Sequence, residues 1–393
     1  MSRRIGAVAA IALLAGALAA PPPAAGETLT VGMITTLSGP GAGLGVDVRD
    51  GFALAIEHLG GRFGELDAVV LEADDQQKPD VAVQLTERML SRDGAEIITG
   101  TIWSNLALAM LPAVARAGKI YLSPNAGPSQ LAGEQCNRHF FNVAFQNDGS
   151  HEAMGQHVAD LGIEKVWLMA PNYPAGQDSL RGFRRYYDPS GGEVVDEVYT
   201  QLGQLDYSAE IANIQAAAPE AVFFFYPGGM GINFVKQWAQ AGAGQSIKLF
   251  GPGFSLSQDI LPAVGEAALG LENTAHWSPD LDNQVNRRFV EAFREKHGRI
   301  PSLFAAQGYD AALFIDQAAK AAGGKDTDAL IDALANAEVE ATRGTLKLNK
   351  NHFVIQNYYL REVVQDDEGN LTNRIKSVVF ENHGDAYVDQ CPM

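Results

Sequence analysis

The sequence predicts an α/β protein of two doubly wound parallel-sheet lobes. Three observations carry this. Strand and helix patterns alternate from Thr28 onward. The alternation starts afresh after Gly149. The last third has long helices without strands between them, so these helices must pack on a sheet built earlier.

The first lobe opens with a strand over residues 29–35. Leu44, Val48, Phe52, Ile56 and Leu59 then recur at helical spacing. Residues 68–71 form the next strand. Pro79, a favoured first-turn residue, starts a helix with Val81, Leu85 and Met89 on one face. A strand at 97–98, a helix at 106–115 and a strand at 120–122 follow. In the second lobe the predicted helices are 151–161, 178–187, 208–217 and 232–240. They alternate with strands at 165–169, 194–199, 221–226 and 247–250. Beyond these, 283–297, 304–321 and 328–337 read as helices, and 344–348, 355–364 and 377–380 as strands. Asp367-Glu368-Gly369 makes a hairpin turn. The simplest path re-enters the first lobe after about Thr274 and crosses back near Arg343. The expected division is 1–25 as an export signal, 27–143 and 277–343 as lobe one, and 144–276 and 344–393 as lobe two.

Composition narrows the function. Of 393 residues, 46% are hydrophobic and 19% charged, a balance that folds rather than stays disordered. The net charge of −18 argues against nucleic acid and anionic membrane as partners. Met1-Ser2-Arg3-Arg4 followed by an apolar run to Ala20 reads as a secretory signal peptide, cut between about Ala19 and Gly26. An exported chain enters an oxidising compartment, where an even count of two cysteines favours a Cys136–Cys391 bridge over two free thiols. Gly-x-Ser-x-Gly, Ser-x-x-Lys, a zinc-protease motif and Cys/His clusters are all missing from the sequence. The expectation is a binding protein, not an enzyme, with no cofactor and no metal.

In open parallel sheets, ligands bind beyond the carboxyl ends of the strands, where helix N-termini offer free N–H groups. Five loops sit at such ends: 36–45, 100–105, 123–129, 170–178 and 226–231. The glycines of the first lack the last position of a dinucleotide fingerprint, which is Val46 here, so a glycine-rich ligand loop or a plain turn fits better. Trp103 and Tyr173 are aromatic residues in loops, where they either line a site or pack a core. Ser104 and Asn105 can cap the next helix as well as meet a ligand. Tyr226 ends an apolar strand. His276 and Trp277 fall at a lobe crossing and either line the cleft or pack the hinge.

These residues bring a family into view. Val31-Gly32 through Ser38-Gly39-Pro40, Ser123-Pro124-Asn125-Ala126, Ala170-Pro171-Asn172-Tyr173 with Gly176, and Tyr309-Asp310-Ala311 stand in the order and spacing of that family. The chain resembles the periplasmic substrate-binding proteins of ABC transporters, in the type I branched-chain amino acid (leucine/isoleucine/valine-binding) family. The resemblance implies two lobes joined by three crossovers, near 142–147, 274–279 and 343–352. It also implies a monomer that closes on a small ligand and delivers it to a membrane permease.

In that family, stretches matching Trp103-Ser104-Asn105 and Asn125-Ala126-Gly127 hold the carboxylate and amine of an amino acid. Gly127 stands where a Thr or Ser is common. The loop 250–254, which matches a segment carrying an acidic partner for the ammonium, has no Asp or Glu before Asp259. A buried ammonium without a carboxylate is costly. Trp103, Tyr173, Tyr226, Phe254 and Trp277 instead suggest a flat apolar pocket, as in the branch of the family that takes up aromatic acids. The expected ligand-binding residues are Ser38, Trp103, Ser104, Asn125, Ala126, Gly127, Tyr173, Tyr226, Gly228 and Phe254. An amino-acid or amide ligand, a sensor of the same fold, and an exported hydrolase of small amides or esters remain the alternatives.

Overall fold

The computed structural model describes residues 26–393, and the export-signal reading falls outside them. The first sheet holds β1 (Thr28–Thr35), β2 (Arg62–Phe63), β3 (Leu66–Asp74), β4 (Ile97–Thr99), β5 (Ile120–Ser123) and β6 (Phe140–Asn142), in the order β2-β3-β1-β4-β5-β6. All its pairings are parallel except the edge pair of β2 with β3. The connections carry α1 (Ala42–His58), α2 (Pro79–Ser91), α3 (Ser104–Arg116) and the single turn α4 (Ser129–Ala132). Strands β4 and β5 are buried at every residue, which is why they read as unbroken apolar runs instead of alternating ones.

The second sheet begins after α5 (Gly149–Asp160). It runs through β7 (Lys165–Pro171), α6 (Pro174–Tyr187), β8 (Glu193–Thr200), α7 (Ser208–Ala217), β9 (Ala221–Phe224), α8 (Gly229–Gln240), β10 (Lys248–Pro252), α9 (Leu261–Val264) and β11 (Glu272–Ala275). Strands β8, β7, β9, β10 and β11 are parallel neighbours in that order. The chain then returns to the first lobe as α10 (Gln284–His297), α11 (Leu303–Ala322) and α12 (Thr327–Ala335). Helix α11 lies along α1. The approach is close because two glycines face the partner backbone: a Cβ at Gly51 would sit 1.9 Å from the Ala305 carbonyl oxygen, and one at Gly308 2.0 Å from that of Val48. Ser302 caps α11, accepting from the N–H groups of Phe304 and Ala305 at 3.1 and 3.3 Å, a cap worth about 1 kcal/mol.

Four antiparallel strands finish the chain: β12 (Glu338–Ala341), β13 (Gly344–Leu348), β14 (Val354–Gln365) and β15 (Leu371–His383). They join the second sheet where β14 pairs with β11. The sequence pattern ran the preceding helix through Ala337, missed β12 and gave β15 four residues. Glu338, Val339, Glu340 and Ala341 do alternate exposed and buried, but four residues at a helix end are too few to break a helical reading. β15 carries many polar residues because it is the outer strand on β14. The three-residue β6 and four-residue β11 were also missed, being short and carrying Asn142 or Asn273.

The chain passes between the sheets after β6, after β11 and along β12–β14. Two buried arginines pin these passages. Arg343 donates from Nε to Asp310 Oδ2 at 2.9 Å, from Nη1 to the Ala144 carbonyl at 2.7 Å and from Nη2 to that of Val143 at 2.6 Å. One guanidinium thus binds the first passage, the third passage and α11. Arg361 donates to Asn273 Oδ1 at 2.9 and 2.6 Å and to the Trp277 carbonyl at 2.6 Å, fastening the second passage. It forms no ion pair among the described residues, and burial lowers its pKa to about 9. Cys136, between α4 and β6, and Cys391, beyond β15, form a disulfide across 255 residues. The C-terminal segment therefore runs from the second sheet back to the first lobe.

Candidate functional site

The carboxyl ends of the two sheets face each other, and the loops there line an interlobe cavity. Its lining residues are buried, so the structure shows the lobes closed. Closure is held from both sides. Ser129 of lobe one donates its N–H to Asp178 Oδ2 at 3.0 Å and its hydroxyl to Asp178 Oδ1 at 2.7 Å. Asn147, on the first passage, donates to the same carboxylate at 2.8 Å and to Ser104 Oγ at 3.1 Å. At the opposite lip, the Gly229 N–H meets the Pro40 carbonyl at 3.3 Å.

Lobe one supplies Trp103, Ser104 and Asn125. Trp103 lies in the extended residue before α3, and its Nε1–H donates to Thr36 Oγ1 at 2.9 Å. That hydroxyl in turn donates to Asp75 at 2.6 Å, so a buried chain of bonds sets the indole. No side chain caps α3. The N–H groups of Leu106 and Ala107 both turn to the Trp103 carbonyl, and those of Ser104 and Asn105 have no acceptor among the described residues. Asn125 donates to the Ile102 carbonyl at 2.7 Å, while its buried Oδ1 has no partner among the described residues.

Lobe two supplies rings. Tyr173 precedes α6, which likewise has no side-chain cap and leaves the Ala175 N–H free. The Tyr173 ring is edge-on to Trp103 at 6.1 Å and stacked with Phe225 at 6.3 Å; burial raises its phenol pKa. Phe254 lies 4.7 Å from Phe145 and 6.1 Å from Phe304. His151, from the first turn of α5, completes this wall, and burial lowers its pKa to about 3. Among the described residues that line the cavity, none is Asp, Glu, Lys or Arg.

Trp103, Ser104, Asn125, Tyr173 and Phe254 thus meet in one cavity. The other five expected residues do not line it. Ser38 is exposed, because its loop turns outward and sends Leu44 inward instead. The Ala126 carbonyl is taken by Ser123 Oγ at 2.8 Å and Asn142 Nδ2 at 2.9 Å. The Gly127 N–H donates to Asn147 Oδ1 at 3.1 Å, and a Cβ there would lie 2.2 Å from the Phe145 carbonyl oxygen, which excludes Thr or Ser. Tyr226 is core: its hydroxyl pairs with Thr200 Oγ1 at 3.0 Å and its ring packs on Tyr207. Gly228 starts α8 under Pro40, at the lobe contact. Trp277 also packs the hinge, its indole N–H donating to Asn286. His276 is buried beside Phe145 and Gln307 in the same region.

A family model described as periplasmic binding protein matches residues 28–369. The chain belongs to the periplasmic binding protein family. This periplasmic binding protein is 29% identical over 366 residues to Leu/Ile/Val-binding protein homolog 6 of Brucella melitensis, covering 91% of this chain and 93% of that one. It is 30% identical to an ABC-transporter solute-binding protein of R. palustris solved in complex with benzoate. The TM-score is 0.87, over 93% of this chain and all of the other. A solute-binding protein from Rhodopseudomonas palustris BisB5, solved with 3,4-dihydroxy benzoic acid, gives the same TM-score and identity over 91% and 99%. Like these, this binding protein is a solute-binding component of an ABC importer, built to hold a small organic ligand between its lobes.

Proposed function

We propose that the chain captures a small aromatic carboxylate of the benzoate class in the periplasm, without chemistry of its own, and presents the closed form to a membrane permease as a monomer. The observation that carries this is the cavity's chemistry: stacked and edge-on rings, two uncapped helix starts, and no acidic side chain. Tyr173, Phe225, Phe254 and Trp103 offer faces and edges to a planar ring. The free N–H groups of α3 and α6, with the Ser104 hydroxyl, suit a carboxylate. An α-amino acid would bury its ammonium against Asn125 Oδ1 with no carboxylate to balance it. The two solved relatives with benzoate-type ligands support the same class.

The test is a thermal shift on protein stripped of carried-over ligand, against benzoate, hydroxybenzoates, leucine and valine. A ligand at 100 times its Kd adds about 2.7 kcal/mol of stability. A rise with the aromatic acids alone is the expected result. A rise with leucine or valine alone would overturn the ligand class and leave the transport role standing. Hydrolysis of the methyl esters or amides of these acids by the purified protein would contradict the binding-only reading.

A further inference from the structure

His151 is the only imidazole lining the cavity among the described residues. Its Nδ1 lies 3.2 Å from Ser179 Oγ on α6, which fixes the plane of the ring. Nε2 has no hydrogen-bond partner among the described residues. Around it stand apolar rings: Phe225 and Phe223 meet the imidazole edge-on at 5.0 and 5.7 Å, and Phe254 tilts against it at 6.3 Å. Among the described residues no carboxylate pairs with the ring, and burial keeps it neutral.

Resting on the aromatic-carboxylate reading, we propose that His151 Nε2 reads a hydroxyl on the ligand's ring, so that the cavity prefers hydroxybenzoate-type acids to benzoate itself. A ligand carboxylate already has the helix starts and Ser104 to meet it. Placed against the imidazole, it would pull on a proton that the surrounding phenylalanines make costly to hold. A phenol carries no charge. It donates or accepts, so it satisfies Nε2 in whichever tautomer the Ser179 bond selects. An unsubstituted ring leaves that nitrogen unpaired in a dry wall. Such a mismatch discriminates roughly tenfold or more.

The rival reader is the Tyr173 hydroxyl, also without a partner among the described residues. The experiment therefore measures affinities by calorimetry for benzoate, 3- and 4-hydroxybenzoate and 3,4-dihydroxybenzoate. It compares the parent protein, His151→Phe, Tyr173→Phe and the double variant His151→Phe/Ser179→Ala, in which the hydroxyl stranded by the first change is removed too. The expected result is at least one hydroxylated acid bound about tenfold tighter than benzoate by the parent. That ratio falls to near one in both His151 variants and survives in Tyr173→Phe. Persistence of the ratio in the His151 variants, or its loss in Tyr173→Phe alone, overturns the inference. Equal weakening of every acid in the His151 variants overturns it too, by putting His151 at the carboxylate. Aromatic acids bound without any hydroxyl preference sink this inference alone, whereas a parent protein that binds none of them sinks the ligand class with it.

Discussion

On the lobe-one side of the cavity, beside the apolar Leu44, Ile102 and Phe304, lie preset polar groups: Ser104, Asn125 and the open start of α3, with Trp103 fixed through Thr36 and Asp75. On the lobe-two side they are rings, with His151 as a polar point among Tyr173, Phe225 and Phe254. One wall has directional groups that orient a ligand. The other has area that covers it. Asp178 belongs to the covering lobe and, besides Arg181 on its own helix, takes hydrogen bonds from Ser129 and Asn147, so closure is reported through a carboxylate outside the cavity lining. A hinged protein can in this way tune affinity by closure strength without touching the groups that choose the ligand.

Four changes would break or sharpen that contrast. Tyr173→Ala removes a ring from the covering wall and leaves a void between Trp103 and Phe225. Affinity for aromatic acids should fall about 100-fold by calorimetry, in line with roughly 1.5–3 kcal/mol for a buried side chain. An unchanged Kd would mean that the rings are core and not wall. Ser104→Ala takes one polar group from the orienting wall. About tenfold weaker binding is expected for carboxylates and little change for a neutral amide analogue. Equal loss for both would contradict the orienting role. Asp178→Asn keeps the shape but weakens the acceptor that ties the lobes. Roughly fivefold weaker binding is expected, through faster dissociation in stopped-flow traces, with the ligand rank order unchanged. A reordered panel would show that Asp178 selects ligands.

The fourth change concerns stability against pH and not affinity. His151 has a folded pKa of about 3, below the ordinary value of 6.5, because it is buried. Between those values the unfolded chain binds a proton that the folded chain does not, so this group makes stability fall as pH drops. Its share is at most about 1.4 kcal/mol per pH unit. Denaturant titrations of His151→Phe between pH 6.5 and 4 should show a shallower acid-side slope than the parent. Parallel slopes would place the imidazole in contact with water.

Much of the fold was readable because both lobes are covered on both faces, and buried strands and amphipathic helices leave long patterns. The site was half readable. Trp103 and Tyr173 stood out as aromatic residues at strand–helix junctions. The sequence points to Tyr226, whereas its neighbour Phe225 lines the cavity, since successive residues of an extended segment point opposite ways and the apolar run carries no phase. Asn147 and His151 were missed for another reason. They reach the cavity only because the first passage bends between lobes, and no periodicity records that bend. Gly127 looked like a lost contact, but the Phe145 carbonyl leaves no room for a side chain there.

The Cys136–Cys391 bond turns most of the chain into one covalent ring that runs through both lobes. A protease that cuts once inside this ring, for instance in the exposed hairpin tip at 367–370, opens the ring without freeing a fragment. The nicked product would migrate as one species on a non-reducing gel and as two pieces after reduction. A binding protein fastened in this way keeps both halves of its cleft together after a single cut.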